Sequence, residues 1–228
     1  MGGEELNFFQ SLAKAFQDGG IGMYPIAFMS AFSLAVLADR IYALYFRDNV
    51  NKEAFMRGLK KFIYAGDLDK AISYVSNQKK TPLTSVVKSG LINVPKGEDE
   101  VQAAMDEAAL RENPKIEKRT GYLAMIGNVS TLFGLFGTIV GLIKCFGAVA
   151  QVDPATKATV LSLGISEAMN CTAFGLLVAI PSLLAYSVLQ GRTQHMLDDI
   201  NEVSVGLLNL IIANKDKMKM PANIPAEE

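Results

Sequence analysis

The chain has 228 residues, an apolar fraction of 50%, a charged fraction of 20% and a formal net charge of −1. That balance excludes a basic nucleic-acid binder and a highly charged disordered chain. The 22 basic and 23 acidic residues are unevenly spread, and almost all of them avoid three stretches.

In chain order, residues 1–18 come first, with Leu6, Phe9, Leu12, Ala13 and Phe16 at helical spacing. This spacing predicts an amphipathic helix, either lying on the outer membrane interface or packed on its own subunit. Gly19–Ala38 carries no charge and ends at Asp39-Arg40. It follows an acidic lead-in and is closed by no small-residue cleavage site, so it reads as a permanent span rather than a signal peptide. Transmembrane helix 1 is placed at 19–46.

Residues 47–120 form a polar block. Lys52–Ala65, Leu68–Gln78 and Thr84–Leu91 have helical apolar spacing, interrupted at Gly66-Asp67 and at Lys79-Lys80-Thr81-Pro82. A longer helical pattern starts near Glu98 and is expected to run into the second span, with Pro114 as a kink. That second span is placed at 121–152, with Lys144 as its only charge, and the third at 158–190, with Glu167 as its only charge. Each stretch exceeds the roughly 20 apolar residues that cross a bilayer as a helix. A short turn at 153–157 joins them, and an apolar stripe through Met196, Ile200, Val203 and Leu207 extends the third span into a tail over 191–228.

The fold class is therefore an all-α membrane protein with three transmembrane helices and long cytoplasmic helical extensions. Lysine and arginine set its orientation. Arg47–Arg119 holds 14 of the 22 basic residues, and the tail adds Arg192, Lys215, Lys217 and Lys219. The N-terminal segment has only Lys14 and the turn only Lys157. The block and the tail are expected inside, the N terminus and the turn outside.

Two seams of small residues run along the later spans. The second carries Gly127, Thr131, Gly134, Thr138, Gly141, Cys145 and Ala148, spaced 4, 3, 4, 3, 4, 3; the third carries Ala168, Thr172, Gly175, Ala179 and Ser182. Small residues mark close helix approach or a lined cavity. Thr138 lies 16 residues before Pro154 and Thr172 18 after it. At ~1.5 Å per residue both sit about 24–27 Å from the turn, so the hydroxyls can share one level and serve an ion path. The plain alternative is that each hydroxyl satisfies its own helix backbone. An acid inside a span is a functional-site candidate. Glu167 either pairs with Lys144 or, with Lys144 reaching to the interface, faces a partner helix or an aqueous entry. Cys145 and Cys171 read as small buried residues. No metal or cofactor spacing, nucleotide loop or nucleophile–base constellation appears, which argues against an enzyme.

Leu132-Phe133-Gly134-Leu135-Phe136-Gly137-Thr138-Ile139-Val140-Gly141 resembles the GLxGTVxG signature of the MotA/TolQ/ExbB proton channel family. Gly164-Ile165-Ser166-Glu167-Ala168-Met169-Asn170-Cys171-Thr172-Ala173-Phe174-Gly175-Leu176 is similar to its GIxEALxxTAxGL motif. Val178-Ala179-Ile180-Pro181 continues it, and Met23-Tyr24-Pro25-Ile26 through Ala38-Asp39-Arg40 resembles its first span. The resemblance implies a homopentamer in the bacterial inner membrane. The second and third spans would line a pore around two copies of a single-span ExbD/TolR-type protein with a membrane aspartate. Protons would pass between that aspartate and Thr138 and Thr172, with Glu167 as the third-span acid, and drive a motor. Ser130-Thr131 stands where many members have proline, and Lys144 and Asn170 are more polar than is typical. The AMNxTAFGL version resembles accessory branches, including those of gliding motility. A sodium path, using Thr131 and Ser166, and a non-conducting membrane scaffold are the other readings.

Overall fold

The computed structural model describes residues 8–48 and 50–215. Leu6, Lys217 and Lys219 lie outside them, as do the side chains of Phe9 and Leu12. Every regular element is helical, and no strand occurs among the described residues. The helices are α1 (Phe8–Asp18), α2 (Met23–Ile41), α3 (Lys52–Tyr64), α4 (Leu68–Ser76), α5 (Pro82–Asn93), α6 (Glu98–Glu117), α7 (Thr120–Val149) and α8 (Lys157–Ala213). A π-helical turn, Tyr42–Arg47, follows α2, and a 3₁₀ turn, Val94–Lys96, follows α5. Three of the helical stretches are long and apolar enough to cross a membrane. The chain divides into two compact units.

The first unit comprises the chain up to Asp39 together with Arg119–Val188. It consists of α1, α2, α7 and the first part of α8. Helix α2 buries Met23, Ile26, Ser33 and Val36 on one stripe and exposes Tyr24, Phe28, Phe32 and Leu34 on the other. An apolar face turned outward is what lipid requires of a span. Inside, the Ser33 and Ser182 hydroxyls are hydrogen-bonded at 2.7 Å, and Ser182 also donates to the Val178 carbonyl at 2.7 Å. Pro181 sits inside α8, where it removes one backbone donor, yet the helix continues past it. Such interruptions are tolerated in membrane helices where serine and neighbouring helices satisfy the backbone.

The second unit comprises Arg40–Lys118 and the chain from Leu189 onward. Its core is built from stripes: Phe55, Leu59 and Ile63 of α3; Leu68, Ala71 and Val75 of α4; Val86, Val87 and Leu91 of α5; Val101 and Met105 of α6; Ile200, Val203, Leu207 and Ile211 of α8. Apart from the adjacent Val86 and Val87 of α5, each set recurs at three or four residues, so it lines one face of its helix. Gly90 brings α5 close to α6, since a Cβ there would lie 2.6 Å from Met105 Cγ. Lys52 at the start of α3 donates to Asp199 at 2.6 Å and Glu202 at 2.8 Å. These two hydrogen bonds hold its pKa above the ordinary lysine range. A raised lysine pKa favours folding below the unfolded value and loses its effect only as pH rises through the folded one, so the contribution is intact at neutral pH.

Of the boundaries that differ from those the periodicity predicts, two have a clear physical cause. Helix α5 starts at Pro82, before Thr84, because Thr81 is its N-cap and forms a reciprocal capping box with Thr84. Thr81 is buried. Thr81→Ala is therefore expected to cost about 1–2 kcal/mol, read as a lower thermal midpoint of the purified protein. The second difference is a break between α6 and α7. Helix α6 passes through Pro114 and ends at Glu117; Lys118 is extended (φ −46°, ψ 132°) and Arg119 is left-handed (φ 67°). The expected continuous helix with a kink at Pro114 is corrected to a joint four residues later. The reason is tertiary. In the second unit the Arg40 guanidinium donates to the Lys118 carbonyl, which a continuous helix would have used itself. In the first, Arg119 pairs with Asp39 at 3.3 Å. These contacts hold a conformation that costs a non-glycine residue on the order of 1–2 kcal/mol.

Candidate ion-path site

Helices α7 and α8 form an antiparallel pair across the Asp153-Pro154 turn, and glycine sets their separation. A Cβ on Gly134 would lie 3.0 Å from the Cys171 carbonyl oxygen and 3.2 Å from Gly175 Cα. One on Gly175 would lie 2.7 Å from the Ser130 carbonyl oxygen and 2.9 Å from Gly134 Cα. The two backbones therefore touch. On either side the contact continues: Gly141 rests on Ala168, Cys145 fills the space over Gly164, and Gly127 meets Leu183 and the Ala179 carbonyl.

This approach brings Thr138 and Thr172 together. Their hydroxyls are in direct hydrogen-bond contact. Thr138 Oγ1 also lies 3.0 Å from the Ala168 carbonyl and 3.1 Å from the Gly134 carbonyl, and Thr172 Oγ1 lies 3.3 Å from the Gly134 carbonyl. Two hydroxyls carry two protons between them, and two carbonyl acceptors are in reach besides the hydroxyl oxygens themselves. Either proton can be handed to a carbonyl or to the neighbouring oxygen, so the pair has alternative hydrogen-bond states of similar geometry. Both side chains are half-buried.

The other residues picked from the sequence divide into two sets. Gly134, Gly141, Cys145, Ala168, Gly175 and Ala179 all lie in the α7–α8 contact. Thr131 does not: it is exposed, and its hydroxyl donates to the Gly127 carbonyl of its own helix at 3.1 Å. Asn170 is half-buried. Glu167 and Lys144 stand apart from the threonines but share one cavity of about 160 Å³, whose walls include Pro25, Phe133, Phe136 and Val140. Among the described residues no ion pair joins them, and Lys144 is exposed.

Sequence spacing did not reveal the role of Gly19, Gly20 and Gly22. They line the same cavity or abut its acid, and Gly22 packs against Cys171 and Gly137. Their clustering between two helices was the available signal. Because α2 begins at this level, α7 continues beyond it for the twelve residues from Thr138 to Val149, about 18 Å.

A family model described as the MotA/TolQ/ExbB proton channel family matches residues 78–202, more than half of the chain. The Tol-Pal system protein TolQ of Pseudomonas aeruginosa is 41% identical over 97 residues, covering 42% of this chain and 42% of that protein. A putative biopolymer transport protein ExbB homolog of Methanothermobacter thermautotrophicus is 26% identical over 196 residues, covering 86% of this chain and 68% of that protein. The chain thus spans less than half the length of the TolQ relative. The solved structure of C. jejuni MotAB shares the fold, with a TM-score of 0.58 at 16% identity, covering 90% of this chain and 83% of that one. Motifs, fold and the extent of the match agree: the chain belongs to the MotA/TolQ/ExbB proton channel family.

Proposed function

We propose that this protein is the channel-lining stator subunit of an inner-membrane motor driven by the proton-motive force. It would be multi-pass, with the N terminus outside and the second unit in the cytoplasm. It would form a homopentamer around two copies of a single-span ExbD/TolR-type protein bearing a membrane aspartate. The observation that carries this is the Thr138–Thr172 hydroxyl contact at the point where glycines bring α7 and α8 together. Paired hydroxyls with alternative acceptors can relay a proton to and from a carboxylic acid without a large rearrangement. The TolQ and ExbB relatives support a role in energy transduction at the cell envelope.

A non-conducting scaffold is the second reading. It is favoured by the backbone carbonyls that surround both threonines, since these satisfy the hydroxyls without any ion. Co-purification with the single-span partner and reconstitution into vesicles carrying a pH gradient separates the two. The motor reading expects proton uptake, reported by an internal pH dye, that persists when sodium is replaced by potassium. Absence of uptake above empty vesicles favours the scaffold, and a sodium requirement moves the ion assignment to Na⁺.

A further inference from the structure

The Gly19–Gly22 turn between α1 and α2 is seated on the side of α7 and α8 next to the threonine pair. Gly20 is left-handed (φ +67°), and the space a Cβ would take there is filled by the Glu167 carboxylate. One helical turn further along α8, the Cys171 thiol donates to the Gly19 carbonyl at 3.0 Å. A Cβ on Gly22 would lie 3.0 Å from Cys171 Sγ and 3.4 Å from Gly137 Cα. Phe16 of α1 packs edge-on against Phe174 with ring centroids 5.9 Å apart. Gly137 and Cys171 are the chain neighbours of Thr138 and Thr172. Glu167 also lies near the N-terminal end of α2, where the helix dipole favours a negative charge.

We infer that Glu167 is a positioning residue: its side chain seats the Gly19–Gly22 turn against α7 and α8, and the seated turn, through Gly137 and Cys171, holds Thr138 and Thr172 in register. This rests on the threonine pair being the ion path, but its test does not. The two native cysteines report separately on the two contacts. Cys171 is shielded by the turn, whereas Cys145 is buried between α7 and α8, near the Val160 and Leu161 carbonyls.

The experiment is peptide-resolved alkylation of the full chain by N-ethylmaleimide in native membranes. Glu167→Ala and Gly20→Ala are expected to speed Cys171 labelling at least about tenfold, as a local opening would, with Cys145 still protected. Glu167→Gln keeps the side-chain length and is expected to restore most of the protection. Cys171 equally shielded in Glu167→Ala and the unaltered protein overturns the proposal, as does Glu167→Gln labelling as fast as Glu167→Ala. If Cys145 also becomes reactive in the alanine variants, the helix pair itself has loosened, and Glu167→Asp decides. Faster labelling of Cys171 alone supports the seat, and unchanged labelling overturns it. The readout needs neither partner nor ion gradient, so its failure leaves the ion-path reading standing.

Discussion

A Thr172→Ala protein is expected to insert and assemble normally yet lose proton flux by on the order of 10²-fold, the scale on which a positioned proton-transfer group contributes. The structural cost of the change is small. It deletes one hydroxyl whose partners are Thr138 Oγ1 and the Gly134 carbonyl. An interhelical hydrogen bond inside a membrane contributes on average about 0.6 kcal/mol, too little to unfold the α7–α8 pair. The functional cost is large, because the remaining Thr138 hydroxyl can still bond to the Ala168 or Gly134 carbonyl but has no second hydroxyl to exchange with. Thr138→Ala is expected to match it. The double variant should be little worse than either, since in the proposed path the two groups would act as one relay and their effects would not be additive. Thr172→Ser, which keeps the hydroxyl, should retain most of the flux. The measurement is initial uptake in reconstituted vesicles, normalised to assembled complex. Full uptake by both alanine variants would remove the threonines from the path.

Gly175→Ala is expected to destabilise the protein by about 1–3 kcal/mol, the cost of forcing extra atoms into a filled core, and Gly175→Leu to prevent accumulation of folded protein. The added Cβ meets the Ser130 carbonyl oxygen at 2.7 Å and Gly134 Cα at 2.9 Å. Both are backbone atoms and cannot rotate away as a side chain would. The helices would have to separate, and separation pulls Thr138 from Thr172. Gly121 and Gly147 lie on the same helix, α7, with nothing within 4 Å of the place a Cβ would occupy. Gly121→Ala and Gly147→Ala should therefore be neutral or slightly stabilising, up to about 1 kcal/mol from helix propensity. Thermal unfolding in detergent of the three alanine variants tests the contrast. A Gly175→Ala midpoint equal to that of Gly147→Ala would refute backbone contact at the seam.

Much of this was legible in the sequence because membrane solvation leaves a coarse signature. Charge is excluded from spans wherever it has no partner, so Lys144 and Glu167 mark themselves as exceptions. Counting residues from Pro154 sufficed to set Thr138 against Thr172, since an antiparallel helix pair with a short turn rises equally on both sides. Thr131 shows where counting fails. It falls on the 4, 3 repeat, yet it is exposed. A strict seven-residue repeat drifts by ~20° per heptad around a straight helix, so a stripe drawn on paper leaves the contact face. The joint at Lys118–Arg119 carried no local signal either. A left-handed break ordinarily announces itself with glycine or asparagine. Here the residues that hold it, Asp39 and Arg40, are some 80 positions away in the chain. The seating of Gly20 on Glu167 was likewise hidden, because it depends on where α2 begins relative to α8.

The glycine seam also constrains how this chain can evolve. Any amino-acid replacement of a glycine adds at least a Cβ, and at Gly134 and Gly175 that atom meets backbone on the facing helix. Threonine, by contrast, can drift to serine and keep its hydroxyl. A saturation-mutagenesis library selected for function should therefore return Gly134 and Gly175 almost without substitutions, serine at Thr138 and Thr172, and wide variety at Gly121 and Gly147. The chemistry of the proposed path would be the part that can be retuned, while the helix spacing beneath it is held fixed.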